Sequence, residues 1–449
     1  MSNLKRVLLL GCAGWAMPVA AQTVASEETQ PVEESSDSGN LADNRENEEI
    51  VIFGRGLTRQ VQELDTEQIT ILAPGTSPLK AVQKLPSVNF QSADAFGSYE
   101  WSQRLTIRSF NSQQLGYTLD GIPLGNAAYG TVNGLHVSRA IIPENIALTR
   151  VTQGSGALGT QATNNLGGTL EFFSRDPESR LGLDADPTYG SDDTKRAYVR
   201  FDSGSLGSAA ATGSYAYLTT DKWKGDGIQR HHMANGKVTA ELGSAKLSAT
   251  LNFSDRAEQD YQDLSLEMIE RLGYDWDNLT HDYQLAVLIA DIAANRGESG
   301  ATPTNPAAGT EYPEPFETVD DSYYDASGLR VDYLGSLGAE VPLGPTATLD
   351  VRGYFHDNRG QGLWVTPYTP SPSGVPISIR SSEYDLFRKG VFGSVQFEFG
   401  AHKLRVGGWF EKNDLNLARR FYGYSNRLAP DRSLSDFQSN PVFTQWEFD

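Results

Sequence analysis

IRSF (Ile107–Phe110), YTLDGIPLG (Tyr117–Gly125) and NLGGTLEFFSRDP (Asn165–Pro177) fall within one stretch, centred on Glu100–Phe173, on which the reading of the whole chain turns. The stretch is rich in glycine and asparagine, and its apolar residues come in runs too short for a helical domain and too numerous for a disordered one. In LTIRSF, Leu105 and Ile107 point one way while Thr106 and Arg108 point the other, which predicts a half-buried strand. Tyr117–Asp120 is a second strand ending in Asp120-Gly121, a tight-turn pair, after which Ile122-Pro123 resumes an extended path. Further strands are predicted over Ile146–Val151 and Thr169–Phe173, with Gly167 and Gly168 in the turn before the latter. Upstream, Ser77-Pro78 followed by Leu79, Val82 and Leu85 predicts a short capped helix ended by Pro86, and Val88–Phe90 a short strand. The expected result is a small α/β globule.

Beyond Pro177 the texture changes. RAYVRFDSG, KVTAELG, AKLSATLNFSD, TATLDVRGYFHDN and KGVFGSVQFEFG alternate apolar and polar residues over long runs, some joined by very short links such as ELGSAKL and EFGAHKL. Short turns on one edge and long loops on the other are the asymmetry of outer-membrane β-barrels. A soluble β-sandwich also alternates, but it rarely combines such long strands with an excursion of the size of Asp255–Asp325. Within that excursion Leu264, Met268 and Leu272, and again Leu285, Ile289 and Ala293, recur at helical spacing. Two helices in a loop layer are expected, either contacting a ligand as a lid or packing one loop on another.

Toward the N-terminus, Lys5 and Arg6 precede an apolar run and VAAQ, which predicts a secretory signal peptide over residues 1–21. Cys12, the only cysteine, invites a lipoprotein reading, but the run before it is short. Residues 22–48 are acidic and lack aromatics, so a flexible tether is expected. At its end EIVIFGR, Glu49–Arg55, is β-prone without adjacent strands to pair with. It suits strand addition to a partner, with a first strand of the next domain as the alternative.

Composition excludes several classes. A formal charge of -20 argues against a nucleic-acid partner, and six scattered histidines give no zinc pattern. After residue 21 no run approaches the roughly 20 apolar residues that a transmembrane helix needs. No paired catalytic carboxylates, nucleophile elbow or phosphate-binding loop stands out, so neither an enzyme nor a cofactor is expected, and Asp120 is read as a turn residue rather than a general base.

From Glu49 onward the chain resembles the TonB-dependent outer-membrane receptors, in which an N-terminal plug sits inside a barrel of about 22 strands. EIVIFGR is similar to the energy-coupling box, Glu49, Ile50, Val51, Ile52 and Phe53, with Phe53 where a Thr is usual. SPLKAVQKLPSVNF resembles the family helix and its "PGV"-like turn, here Pro86-Ser87-Val88. LTIRSF matches the "IRGF" strand with Ser109 for the customary Gly, and YTLDGIPL is a close match to the most specific plug motif. In the closing segment, Gln153 and Ser155 stand where an Arg and a Pro are usual.

The resemblance implies a transmembrane antiparallel β-barrel with an N-terminal α/β plug domain in its lumen. The boundaries expected are signal 1–21, tether 22–48, coupling box 49–55, plug 56–176 and barrel 177–449, with a large extracellular loop at about 255–325. The plug motif residues would be Arg108, Tyr117, Asp120, Gly121, Pro123, Gly167 and Gly168. Tyr99, Trp101 and Arg108 are candidates for ligand contact at the plug apex, with structural use inside the plug as the alternative. The implied function is energy-coupled import of a scarce solute across the outer membrane of a Gram-negative bacterium. A ferric siderophore is the first expectation, and a glycan or cobalamin importer, or a ligand-binding remnant without transport, are the alternatives. Trp101, Trp276 and Trp364 would suit a siderophore or a sugar. Expected partners are an inner-membrane TonB-type complex, the lipopolysaccharide-containing membrane and a small-molecule or metal-chelate ligand, with the receptor a monomer. Strands of roughly 9 to 11 residues would exhaust residues 177–449 before about 22 could form. With eight to ten strands countable and an end at QWEFD, the barrel is expected to be incomplete at the C-terminus.

Overall fold

The computed structural model describes residues 61–125, 134–154 and 159–448. The expected signal peptide, tether and coupling box, including Glu49, Ile50, Val51, Ile52 and Phe53, lie outside the described residues, as does Ser155.

The N-terminal part is a small α/β domain. Its strands are β1 (Val61–Asp65), β2 (Val88–Gln91), β3 (Arg104–Ile107), β4 (Phe110–Asn111), β5 (Leu115–Leu119), β6 (Ile122–Pro123), β7 (Ile146–Gln153) and β8 (Gly168–Ser174). Three short helices, α1 (Thr66–Thr70), α2 (Pro78–Ala81) and α3 (Val137–Ala140), accompany them. One sheet has the order β1-β7-β8-β5-β6 and a second the order β2-β3-β4. The helix expected at Ser77 forms, with the Ser77 hydroxyl accepting the Leu79 amide and Pro78 at its first position. The Asp120-Gly121 hairpin forms as well: both residues have positive φ, and Leu119 pairs with Ile122. Arg108 departs from expectation. It leaves the strand at φ 49 and, with Ser109 at φ 70, makes the two-residue turn that joins β3 to β4.

The second part is one sheet of ten antiparallel strands in sequence order: β9 (Leu181–Tyr189), β10 (Lys195–Leu206), β11 (Ala209–Asp221), β12 (Ile228–Leu242), β13 (Ala245–Gln259), β14 (Ala326–Gly344), β15 (Ala347–Thr366), β16 (Ser378–Phe399), β17 (His402–Gly423) and β18 (Phe443–Phe448). Among the described residues the sheet is open, with β9 and β18 at its edges. Its side-chain pattern is inverted relative to a soluble protein. In β10, Arg196, Tyr198, Arg200 and Asp202 are buried against the N-terminal domain, whereas Val199 and Phe201 face outward and are exposed. Polar-in and apolar-out is the alternation of a strand with lipid on one side and a filled lumen on the other. No helix among the described residues is long and apolar enough to cross a membrane.

Successive strands are joined at one end by the two-residue links 207–208, 243–244, 345–346 and 400–401. At the other end stand 190–194, 222–227, 260–325, 367–377 and 424–442. β13 continues to Gln259, paired with Ser327, so the long excursion begins five residues later than the sequence suggested. It contains both expected helices, α4 (Leu266–Leu272) and α5 (Tyr283–Arg296). The sheet wraps the N-terminal domain. Ile142 packs with Tyr198, Ala216 and Met233, and the core of the domain extends to Leu334, Tyr354 and Phe392 of the wall.

Candidate functional site

The point where the plug-like domain meets the long-loop end is built on the turn Glu100–Ser102, between β2 and β3. Tyr99 and Trp101 flank Glu100 and are both buried. The Trp101 ring lies on the wall over Gly328 and Gly362; a Cβ at Gly362 would collide with it at 2.3 Å, whereas one at Gly328 would reach ordinary contact at 3.4 Å. It stacks on Trp364 with centroids 5.6 Å apart, and the Arg330 guanidinium sits 5.0 Å from its ring and 4.4 Å from that of Tyr384. In the other direction Tyr99 meets Tyr261 at 6.3 Å, Tyr261 meets Trp223 at 6.5 Å, and Trp223 meets Tyr274 at 5.7 Å. With Tyr99 and Trp101 at 6.2 Å, six rings form a continuous row from the exposed Tyr274 to the wall. The Trp223 indole donates to the Ala93 carbonyl at 2.7 Å, which ties the 222–227 connection to the plug.

Beneath the row runs a buried chain of charges. Glu100 accepts from Arg139 at 2.8 Å and lies 3.4 Å from Arg330, and Arg139 also pairs with Asp332 on β14. Asp332 is held by His356 at 2.9 Å and Asn358 at 2.8 Å. Arg388 donates to His356 at 3.1 Å and, at 2.8 Å, to the Pro123 carbonyl back in the plug. Burial alone would raise the Glu100 carboxyl, but the cations Arg139 and Arg330 outweigh it and lower it to about 2. Burial dominates at His136, the residue capping α3, and lowers it to about 4, so its ring is neutral at ordinary pH.

The residues singled out from the sequence fall into separate places. Tyr99 and Trp101 are together at the mouth end, but Arg108 lies at the opposite end of β3, exposed, with its amide on the Ser87 carbonyl. Four residues of extended chain separate Arg104 from Arg108, about 13 Å, so the structure does not bring Arg108 to the Tyr99–Trp101 group. Tyr117 is buried in the plug core, where burial raises its hydroxyl well above the usual range. Asp120 accepts the Ser174 amide and hydroxyl at 2.8 and 2.6 Å, tying the β5–β6 hairpin to the end of β8. Pro123 offers its carbonyl to Arg388, and Gly121 faces the Phe392 ring. At Gly167 and Gly168 a Cβ would come within 2.3 Å of Phe110 and 2.4 Å of the Thr152 carbonyl oxygen. Gln153 fills its place by donating to the Pro86 carbonyl at 2.8 Å, while Arg150 pairs with Glu63 at the same distance. Trp276 packs on Phe316 inside the excursion, away from the row.

Sequence reasoning missed Arg139, Asp332 and Trp223. Arg139 and Asp332 are 193 residues apart, and no local pattern links them. It also understated the excursion. Helix α5 is buried on most of its circumference, in one apolar cluster with Leu329, Leu363 and Ile379 of the wall, so the excursion fills the mouth above the plug.

A curved antiparallel wall with polar residues inward, wrapped around an α/β domain, is the architecture of a plugged β-barrel. Residues 55–169 match the TonB-dependent Receptor Plug Domain. Solved structures agree on the fold. The ferric yersiniabactin uptake receptor FyuA of Yersinia pestis has 10% identity and a TM-score of 0.55 over 81% of this chain and 50% of that one. The ferripyoverdine receptor of Pseudomonas aeruginosa has 12% identity and a TM-score of 0.55 over 86% of this chain and 47% of that one. The ferric citrate transporter FecA has 13% identity and a TM-score of 0.56 over 83% and 50%. The chain thus spans about half the length of the receptors it matches. No curated protein matches the sequence.

Proposed function

We propose that the chain acts as an energy-coupled receptor that binds a scarce solute at the mouth of the barrel and imports it across the outer membrane. The observation that carries this reading is the obstructed lumen. The plug is held to the wall by the buried Glu100–Arg139–Asp332 chain and by an apolar core shared with Leu334, Tyr354 and Phe392, so passage requires work from outside the membrane. That work would come from an inner-membrane TonB-type complex pairing with Glu49–Phe53 as an added strand. The receptor would sit as a monomer among lipopolysaccharide, and its domains would divide as the sequence suggests. The plug motif Arg108, Tyr117, Asp120, Gly121, Pro123, Gly167 and Gly168 would keep the plug folded between transport cycles. Tyr99 and Trp101 would sense the ligand at the base of the aromatic row.

Two of the proteins with matching structures are receptors for ferric yersiniabactin and ferripyoverdine, which supports a ferric siderophore as the solute here. Uptake of radio-iron chelates by cells bearing the full receptor, with and without residues 49–55, tests the reading. Import should be lost on deletion while equilibrium binding at the cell surface persists. Unchanged import would overturn energy coupling.

A further inference from the structure

Among the described residues the charge at the long-loop end is concentrated in one element. The 260–325 excursion carries 15 acidic residues against Arg271 and Arg296. Asp277, Asp291 and Asp321 are buried and paired, with Lys222, Arg427 and Arg271 respectively. Nine of the others are exposed, among them Asp263, Asp275 and Glu311. The neighbouring connections do not offset them: 367–377 carries no charged residue, and 424–442 carries two of each sign.

The cations at the mouth are engaged with the protein itself. Lys222 pairs with Asp277 at 2.5 Å, and Lys224 donates to the Gln262 carbonyl at 3.1 Å and lies over Trp223. Arg296 is held by Glu298 at 2.5 Å. Deeper in, Arg380 lies 5.1 Å from the Trp364 ring, and of the nine exposed carboxylates Glu267 and Glu298 are paired with Arg271 and Arg296. The exposed end of the aromatic row stands in the middle of this acidic surface. Tyr274 is 72% and Trp223 42% exposed, Asp275 follows Tyr274 directly, and Asp226 shares the turn with Trp223. Because its N–H is committed to Ala93, Trp223 offers a solute only its π face. An electron-rich ring face set among carboxylates binds cations, and a cleft of one sign raises the arrival rate of opposite charges by roughly 10 to 1,000-fold while opposing like ones.

On this basis, and resting on the import reading above, we propose that the solute is net cationic: the acidic excursion and the Trp223–Tyr274 pair form an antechamber that admits positively charged chelates and rejects anionic ones. Three ferric chelates of comparable size serve as probes: ferrioxamine B, monocationic; ferrichrome, neutral; and ferric enterobactin, trianionic. Binding is read as quenching of tryptophan fluorescence in outer-membrane vesicles containing the full receptor. The monocation should bind at least about tenfold more tightly than the trianion at low salt, and the ratio should shrink as ionic strength rises. The double variant Asp263→Lys/Asp275→Lys should narrow the ratio. Glu241→Lys, at the short-turn end, should leave it unchanged. Equal or tighter binding of the trianion, or no quench by any of the three, overturns the proposal. Equilibrium binding needs no energy source, so this outcome is independent of whether deletion of residues 49–55 abolishes import.

Discussion

The ring of Trp101 occupies the space that a side chain at Gly362 would need: a Cβ placed there would lie 2.3 Å from Cη2 of the indole. A plug residue is thus seated in a notch of the barrel wall. Gly362→Ala should unseat it and loosen the plug without unfolding the barrel. Trp101→Ala should cost about 3 kcal/mol of plug stability by leaving a cavity. Urea-induced release of the plug, followed by limited proteolysis, measures both.

Arg139 stands between two buried carboxylates, Glu100 and Asp332. Arg139→Ala leaves both unpaired and should destabilise the plug–wall contact by about 3–5 kcal/mol. The same urea series should show this variant as the most damaged of the set. A loss below about 1 kcal/mol would mean that water reaches the chain of charges.

Acid should release the plug through Glu100. Its carboxyl is lowered from 4.5 to about 2 in the folded state, so its contribution is complete above the unfolded value and is lost as pH falls through the folded one. A loss on the order of 3 kcal/mol is expected across that window. Glu100→Gln should be less stable at neutral pH and show a flatter acid limb in the tryptophan fluorescence of the plug.

The neck of the excursion responds in the opposite sense. Burial pushes Asp325 up to about 7 against the pull of Lys222, with Gln259 and Asp277 also facing it. At the other end of the neck, burial pushes Asp260 up to about 6, beside Tyr99, Asp263 and Lys222. Carboxyls raised in this way stabilise the neck fully below their unfolded value and cease to do so as pH rises through 6 and 7. Protease cleavage within 260–325 should therefore be faster at about pH 8 than at about pH 5, and Asp325→Asn should flatten the difference.

Ser87 and Ser109 both hold positive φ, at 64 and 70. Each carries a Cβ in the left-handed region. Ser87→Gly and Ser109→Gly should each stabilise the plug by roughly 1 kcal/mol, read as a shift in the urea midpoint.

Much of the fold was legible because its signals are local. The Ser77 cap, the Asp120-Gly121 turn and the strand alternation each lie within a few residues of one another. The two-residue links marked one end of the barrel as reliably as the excursion marked the other. The site was far less legible. The Trp101 notch depends on glycines more than 200 residues away, and only the curvature of the wall brings Asp332 to Arg139. Arg108 misled because alternation continues into a turn, where the backbone reverses and the side chain leaves the strand's face. Helix α5 was recognised from one stripe, although it is buried on most of its circumference in a cluster that draws on five wall strands and the loops beside them.

The strand order β1-β7-β8 has a mechanical meaning. Among the described residues β1 is an edge strand whose ladder bonds go to β7 alone, so tension entering at Val61 that leaves the backbone passes to β7, and β7 hands it to β8. Residues 175–180 then connect β8 to β9, the first stave of the wall. Force therefore runs in series from the N-terminal side of the plug to the barrel through three strands. The small β2-β3-β4 sheet that carries the Tyr99–Trp101 turn stands off that line, so the plug can yield along its larger sheet while the recognition end stays seated on its glycine notch.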